Sequence, residues 1–402
     1  MRQRSTEPQI VHVTTVPMSL ATHLAGQVGY VQRRGYGVHV ITSPGPELAP
    51  FADREGVPVI AIPMTRTITP FRDLVALARL WRALRRIRPA VVHSHTPKGG
   101  LLGMIAAWLA RTPVRIYHIR GLPLVTATGL RRALLRATEW TSCRLAHRVL
   151  AVSHSMRRIA VEEGLCPAEK LHVPLGGSGN GVDARGKFTP RPPEVRAAAR
   201  ALHGVPAGAL VVGFVGRLMR EKGVVELAAA WRELRERDPR LHLLLVGWLE
   251  LEPEVAGAAE ALRADPRVHF TGPSSDLPPL YAAMDLVTLP TYREGFPNVA
   301  LEAAAMALPI VATSVPGCLD AVEDGVTGTL VPPRDAAALA RAIAGYADDP
   351  ALRERHGEAA RSRVLARFAR EAIWEAIASE YAALLAPHGA AGALARERLQ
   401  GG

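Results

Sequence analysis

The sequence predicts an α/β protein built from two doubly wound domains, and three observations carry that expectation. Short Val, Ile and Leu runs alternate with amphipathic helical stretches along most of the chain, the pattern of strand–helix–strand units in a parallel sheet. The alternation stops at residues 176–206, a stretch rich in Gly, Pro and Arg with no strand signal, and then restarts. The 402 residues, 48% of them apolar, exceed what one core organises and supply material for two.

Taken in order, apolar runs rich in β-branched residues predict strands at residues 10–14, 38–42, 57–62, 91–94, 114–118, 148–152 and 171–173. Helical periodicity fills the intervals at 20–34, 73–88, 99–110, 130–146 and 155–163. After the linker, strands are expected at 210–215, 242–246, 268–271, 286–289, 309–312 and 329–331. Helices are expected between and after them at 224–237, 253–264, 277–284, 297–306 and 336–346. This grammar gives a Rossmann-like N-terminal domain at 1–187, expected to bind an acceptor, and a second, donor-binding one at 188–370. A last helix at 371–386 is expected to pack back on the first domain, and residues 387–402 to form a frayed tail. Two such domains on one linker would leave a cleft facing the carboxyl ends of both sheets, where doubly wound sheets bind ligands.

Composition narrows the class. Aromatics are only 5% of residues, which favours helices packed on Val-rich strands over a sandwich of aromatic-rich strands. Three scattered cysteines, Cys143, Cys166 and Cys318, form no CxxC pair and read as reduced thiols of a cytoplasmic protein. The run 10–16 is short and broken by His12, Thr14 and Thr15, a buried strand and not a leader. The longest apolar stretch, 101–110, is about half of the ~20 residues a spanning helix needs. The net charge of +12 is unevenly placed: residues 1–187 hold 26 Lys and Arg against 10 Asp and Glu, the remainder 23 against 27. Such a half is either a solvated arginine-rich surface or a face for something anionic, a phospholipid surface or a phosphorylated acceptor. No helix-turn-helix, zinc finger or aromatic RNA-binding motif accompanies the charge, so nucleic acid is not expected as a partner.

Two segments carry chemistry. In Thr291–Glu302 a strand ends at Pro290, a loop carries Glu294 and Gly295, and a helix is expected to begin at Pro297, where unpaired amides attract anions. Glu294 and Glu302 are eight residues apart, and a carboxylate offers two acceptor oxygens to the two hydroxyls of a diol. Alone, this spacing is also what a capping loop with solvated acids would show. The other segment, Val211–Gly223, is a buried strand, a glycine turn at Gly216, then Arg217 and Lys222 five apart before a helix. A guanidinium forks onto phosphate oxygens and an ammonium adds a compact charge, which suits a diphosphate leaving group.

The run Gly216-Arg217-Leu218-x-x-Glu221-Lys222-Gly223, followed by Glu294-Gly295-Phe296-Pro297-Asn298-x-x-Leu301-Glu302, resembles the retaining family 4 of GT-B glycosyltransferases. With His93-Ser94-His95-Thr96-Pro97-Lys98-Gly99-Gly100, Ser178–Asp183, Pro316–Gly325 and Thr329–Asp335 the resemblance runs through nearly the whole chain, and it is most similar to the bacterial exopolysaccharide and capsule branch. The resemblance implies a nucleotide diphosphate sugar as donor, a UDP-sugar, and a lipid-linked polyprenyl diphosphate saccharide as acceptor. It implies that Arg217 and Lys222 hold the diphosphate and that Glu294 contacts the sugar. Gly295, Phe296, Asn298 and Val299 would position sugar and phosphate, and Glu302 would hold the ribose. It further implies front-face chemistry with no metal, no cofactor and no dedicated protein base. At an anionic membrane the enzyme would be peripheral, at the inner face of the plasma membrane.

The chain departs from that pattern in its first half. Relatives open with a Gly-Gly pair after the first strand where this chain has Val16-Pro17-Met18-Ser19, so acceptor contacts at Ser19 rest on weaker ground. Where relatives carry a histidine before a glycine, this chain has Arg120 before Gly121, with His118 two residues earlier. Arg120 is expected to reach phosphate or a carboxylate, and His118 to be a hydrogen-bonded strand-end histidine. His95 and Lys98, in a loop before a helix, are candidates for the acceptor phosphate, against a plain strand–loop–helix turn.

Rival classes lose their signatures. A metal-dependent GT-A enzyme needs Asp-x-Asp, which does not occur, and no His/Cys ligand cluster is legible. Gly176–Gly181 fails the G-x-G-x-x-G spacing of a dinucleotide oxidoreductase. A nucleotide-sugar epimerase would need an acid/base set that is not found, and an inactive binding subunit would lack Arg217, Lys222 or Glu294. The acceptor alternative is a soluble small molecule, as in tailoring of a secondary metabolite.

Overall fold

The computed structural model describes residues 7–65, 67, 69–250 and 252–388. These form two compact units: one holds the described residues within Met1–Asn180 and Arg370–Gly402, the other Gly181–Ala369. Each is a parallel sheet with helices, described in turn.

The first sheet comprises β1 (Gln9–Val13), β2 (Gly37–Thr42), β3 (Val59–Ala61), β4 (Val91–His95), β5 (Val114–Ile119), β6 (Arg148–Ala151) and β7 (Leu171–His172). All pairs are parallel, in the order β3-β2-β1-β4-β5-β6-β7. The chain moves outward from β1 to β3, then jumps back to β4 on the other side of β1, so the switch point lies between β1 and β4. One core joins Ile10, Val38, Val91, Ile116 and Leu150 of the sheet to Val28 and Val31 of the helix Gln27–Arg33. Ile373, Ile377, Tyr381 and Leu385 of the helix Arg370–Leu385 complete it, so the chain returns to its first unit at the end.

The second sheet comprises β8 (Leu210–Val215), β9 (Leu241–Val246), β10 (Val268–Gly272), β11 (Leu286–Leu289), β12 (Ile310–Thr313) and β13 (Gly328–Val331). Its order, β10-β9-β8-β11-β12-β13, places the switch point between β8 and β11. Every residue of β8, β9, β11 and β12 is buried, as expected of strands covered on both faces.

All thirteen expected strands are present, each within two residues of its expected bounds. The helices depart more. The single helix expected at 20–34 is two, Met18–His23 and Gln27–Arg33. Gly26 between them has φ 78°, and a Cβ there would lie 2.4 Å from the Trp374 ring, so the break seats the returning C-terminal helix. The interval 176–206, expected to be a linker, holds the helix Pro193–Leu202, whose proline occupies a first-turn position. Arg200 of that helix donates to Asp285 at 2.7 Å, and Arg196 to the other oxygen of the same carboxylate. The helices Leu48–Glu55, Cys318–Ala321 and Pro350–Arg367 were also not expected. The units divide at Asn180, seven residues before the expected 187, because Val182 already bridges Ala369. Of the tail expected to fray at 387–402, residues 387 and 388 belong to the short 3₁₀ turn Ala386–His388, and 389–402 lie outside the described residues.

Candidate active site

In the second unit, the loops leaving β8 and β11 flank the switch point, where a doubly wound sheet opens a crevice. β8 ends at Val215, and the loop after it carries Gly216 and Arg217 before the 3₁₀ turn Arg220–Lys222. Gly223, with φ 75°, then starts the helix Val224–Arg237. A Cβ on Gly223 would sit 1.9 Å from the Pro290 carbonyl oxygen, so only glycine lets this turn press against the loop that follows β11. The Tyr292 amide donates to Glu221 O at 2.9 Å, and Arg293 to the Glu221 carboxylate at 2.7 Å. Tyr292 Oη donates to Glu226 at 2.7 Å.

This stitching brings two of the expected residues into direct contact: Lys222 Nζ donates to Glu294 Oε1. Both side chains keep some exposure, 25% and 14%, so the pair is desolvated yet reachable. Arg217 is turned toward the loop after β9, where Nη1 donates to Glu250 at 2.6 Å. Phe296 is buried and packs on Phe368 with ring centroids 5.3 Å apart. The helix begins at Asn298, one residue later than expected, with Pro297 at the N-cap and no side chain capping it. Gly295 precedes it, and Asn298 and Val299 form its first turn, whose amides have no intrahelical partner. Glu302 is on the second turn and accepts from Tyr281 Oη at 2.8 Å. Burial pushes its carboxyl above the usual range, against the Tyr281 hydrogen bond and the Lys187 charge. Arg217, Lys222, Glu294 and Glu302 therefore lie on the loops and helix that leave neighbouring strands, with Lys222 and Glu294 in contact. Tyr281, Glu250 and Lys187 were not singled out from sequence; each acts through long-range contact and stands outside any motif.

The first unit's switch point holds a different arrangement. His12 of β1, His93 and His95 of β4 and His118 of β5 are each 0% exposed. The alternation His93-Ser94-His95 puts both rings on one face of β4, and in-register pairing sets His12 beside His93 and His118 beside His95. His93 and His95 ring centroids are 4.2 Å apart. Arg120 Nη2 lies 3.2 Å from His95 Nδ1, and its Nη1 donates to Gly179 O at 2.8 Å. A guanidinium only donates, so His95 accepts at Nδ1, carries its proton on Nε2, and donates to His12 Nδ1 at 3.0 Å. His12 Nε2, His93 Nε2 and both nitrogens of His118 have no hydrogen-bond partner. His93 Nδ1 meets the Tyr381 hydroxyl at 2.7 Å.

Five residues singled out from the sequence lie in this unit, and the expectation of a hydrogen-bonded His118 is corrected. His95 and His118 are fully buried within the sheet layer, because period-2 alternation along β4 and β5 turns both rings into it. His118 is not hydrogen-bonded, and Arg120 points at His95 and Gly179 instead of outward. Lys98 is held by Asp73 at 2.6 Å and by Thr65 at 3.1 Å, and Ser19 is buried in the helix Met18–His23. Burial, then the Arg120 charge, holds His12 down to about 3, and burial lowers the other three rings as well. Burial also brings Arg120 down to about 9.

His12, His93 and His95 offer ring nitrogens within 4.8 Å of one another, a group that could hold a metal ion. No such cluster was legible in the sequence, because its members come from two separate strands; Arg120 Nη2, 3.2 Å from His95 Nδ1, sets a positive charge beside it.

Solved structures share the fold. Anabaena Alr3699/HepE, in a crystal structure with UDP and glucose, matches with a TM-score of 0.77 at 23% identity, over 92% of this chain and 98% of that one. The fold is that of the GT-B glycosyltransferases, two Rossmann-like units each built on a parallel sheet. Residues 19–176 match the glycosyl transferase 4-like domain and residues 209–349 the glycosyl transferases group 1 domain. The capsular polysaccharide biosynthesis glycosyltransferase CapM of Staphylococcus aureus is 33% identical over 374 residues, 93% of this chain and 96% of its own length. D-inositol 3-phosphate glycosyltransferase of Actinosynnema mirum is 33% identical over 350 residues, 80% of this chain and 82% of its own. The chain belongs to this family of glycosyltransferases.

Proposed function

We propose that the protein is a retaining, metal-independent transferase that moves a hexosyl or N-acetylhexosaminyl group from a UDP-sugar to a hydroxyl of a polyprenyl-diphosphate-linked saccharide. The setting is the cytoplasmic face of the membrane, in exopolysaccharide or capsule synthesis. The observation that carries this is the Lys222–Glu294 contact at the switch point of the second sheet. A cation suited to a leaving diphosphate and a carboxylate suited to sugar hydroxyls already share one spot. The relation to the capsular transferase of S. aureus and the UDP held by the Anabaena structure support the acceptor and donor classes.

The bond from the anomeric carbon to the β-phosphate oxygen breaks, and its electron pair stays on the phosphate. The acceptor oxygen bonds to the anomeric carbon on the same face, and its proton passes to the departing phosphate oxygen. The protein's part is electrostatic and positional. Lys222 exchanges Glu294 for the phosphate and neutralises it as charge develops, and Arg217 leaves Glu250 to do the same. Glu294, released, accepts from sugar hydroxyls, and Glu302 accepts from the ribose diol with Tyr281 fixing its orientation. The first-turn amides of Asn298–Ala305 add a fixed positive end. A thermal-shift screen across nucleotide sugars identifies the donor. Turnover with purified acceptor then continues in EDTA and gives a product of unchanged anomeric configuration by NMR; strict metal dependence or inversion rejects the mechanism.

A second reading, transfer to a soluble phosphorylated acceptor, is favoured by the relation to D-inositol 3-phosphate glycosyltransferase. Activity confined to water-soluble acceptors would select it.

A further inference from the structure

Three helices of the first unit, Pro70–Ile87, Pro97–Leu109 and Gly129–Leu145, pack side by side, the middle one touching both others. A helix on a sheet ordinarily buries its apolar stripe and shows water its polar face. Here an apolar stripe faces outward. Leu130, Ala133, Leu134, Ala137 and Trp140 recur at three- and four-residue spacing and are all exposed, Leu130 at 85%. Phe71 in the first turn of Pro70–Ile87 is 87% exposed, with Leu74 and Val75 exposed beside it. Trp108 ends the middle helix, also exposed.

Charge around this apolar surface is mostly of one sign; from outside the three helices, Glu163 pairs with Arg132 at 2.6 Å and lies 3.8 Å from Arg136. The three helices carry ten Lys and Arg against two acids. Neither acid counters the field outside: Glu139 is buried and accepts from Tyr117 at 2.7 Å, and Asp73 is paired with Lys98. A face of exposed Trp, Phe and Leu set among arginines, with no free acid, matches the interface of an anionic bilayer, where rings and aliphatic chains enter below the headgroups and cations meet the phosphates. A second copy of this chain would bring the same cations against it and be repelled. Nucleic acid would satisfy the arginines and leave the apolar stripe in water.

We propose that this three-helix face is a docking surface for an anionic phospholipid membrane. The inference deepens the lipid-linked-acceptor reading and rests on it. The helices start after β3, β4 and β5, so Phe71 and Leu130 lie at the carboxyl end of the first sheet, the same end as Lys98. Docking there brings that loop to the headgroup plane, where a polyprenyl-linked diphosphate resides.

Flotation of the full chain with vesicles of phosphatidylcholine alone, and with about 30% phosphatidylglycerol, tests it. Binding is expected only to the anionic vesicles, to fall at about 0.5 M salt, and to weaken about tenfold or more in Phe71→Ser/Leu130→Ser and in Arg82→Ala/Arg86→Ala/Arg131→Ala. Melting temperatures of these exposed-site variants should stay near wild type. No binding to anionic vesicles at low salt, equal binding to both compositions, or binding unchanged in the variants overturns the proposal. So does a dimer in sedimentation that the apolar variant dissolves. Turnover on detergent-dispersed acceptor is measured in parallel. Wild type that turns over this acceptor but binds no anionic vesicle rejects the surface alone, whereas wild type inactive on every lipid-linked acceptor rejects the acceptor reading alone.

Discussion

At the scale of single residues, the chemistry concentrates in few atoms. Lys222→Ala and Glu294→Ala should each lower kcat by about 10²–10³, the usual cost of losing one preorganised charge at a developing anion. Both side chains retain exposure, so circular dichroism and melting should change little; near-normal turnover in both would reject their roles. Tyr281→Phe leaves a partly buried Glu302 carboxylate without its donor, a loss of about 1–3 kcal/mol. If Glu302 holds the ribose, the loss appears mainly as a raised KM for the donor, with kcat nearly kept. Calorimetric titration with UDP separates this from a purely structural effect. The motif residues were legible because their spacing around a strand–loop–helix step is local. Glu250 and Tyr281 were not, because Arg217–Glu250 and Tyr281–Glu302 join segments that only the folded sheet makes neighbours. Nor did sequence show that Arg120 turns inward, a choice set by Gly179 and His95 from distant segments.

At the scale of elements, strands were read well and helix ends less well. Runs such as Leu210–Val215 announce themselves because a strand buried on both faces has no polar positions to blur it. The helix Pro193–Leu202 was hidden by prolines that mark a break and a first turn equally. The break at Gly26 was hidden because its reason, Trp374, lies far along the chain. Gly223→Ala should push the Lys222 turn off Pro290 and lower kcat/KM for the donor at least about tenfold, a few kcal/mol of strain being typical of a side chain forced into such a backbone. A wild-type value would remove the argument for that close approach. The histidine layer of β1, β4 and β5 gives a pH dependence. Its rings are held neutral in the native state, while the unfolded chain protonates them near pH 6.5, so the unfolded state binds more protons below that pH. Stability is thus present above pH ~6.5 and lost on acidification, by up to about 1.4 kcal/mol per pH unit for each ring. For His12 the loss continues toward its folded value of about 3. Glu139, raised by burial to about 7, works the other way between its unfolded range and neutrality and offsets one ring. Melting from pH 7.5 to 5.5 should show a steep fall that His118→Leu reduces, since neither nitrogen of His118 has a partner to lose; an unchanged slope in that variant contradicts the account.

At the scale of the whole molecule, the chain leaves its first unit at Asn180, builds Gly181–Ala369, and comes back at Arg370. Truncation after Ala369 should therefore melt the first unit and spare the second, a two-step unfolding visible by calorimetry; equal loss in both would contradict the division. Removing Ile373, Ile377, Tyr381 and Leu385 at once strips one wall of a core, well beyond the 2–5 kcal/mol typical of a single large-to-small change. The same topology sets an order of events during translation. The unit whose strands are made first is the one that must wait longer, since its closing helix is made only after the whole of Gly181–Ala369. Until Tyr381 arrives to cover His93, water can enter the histidine layer of the nascent first half, and the later-made half can finish folding before the earlier one.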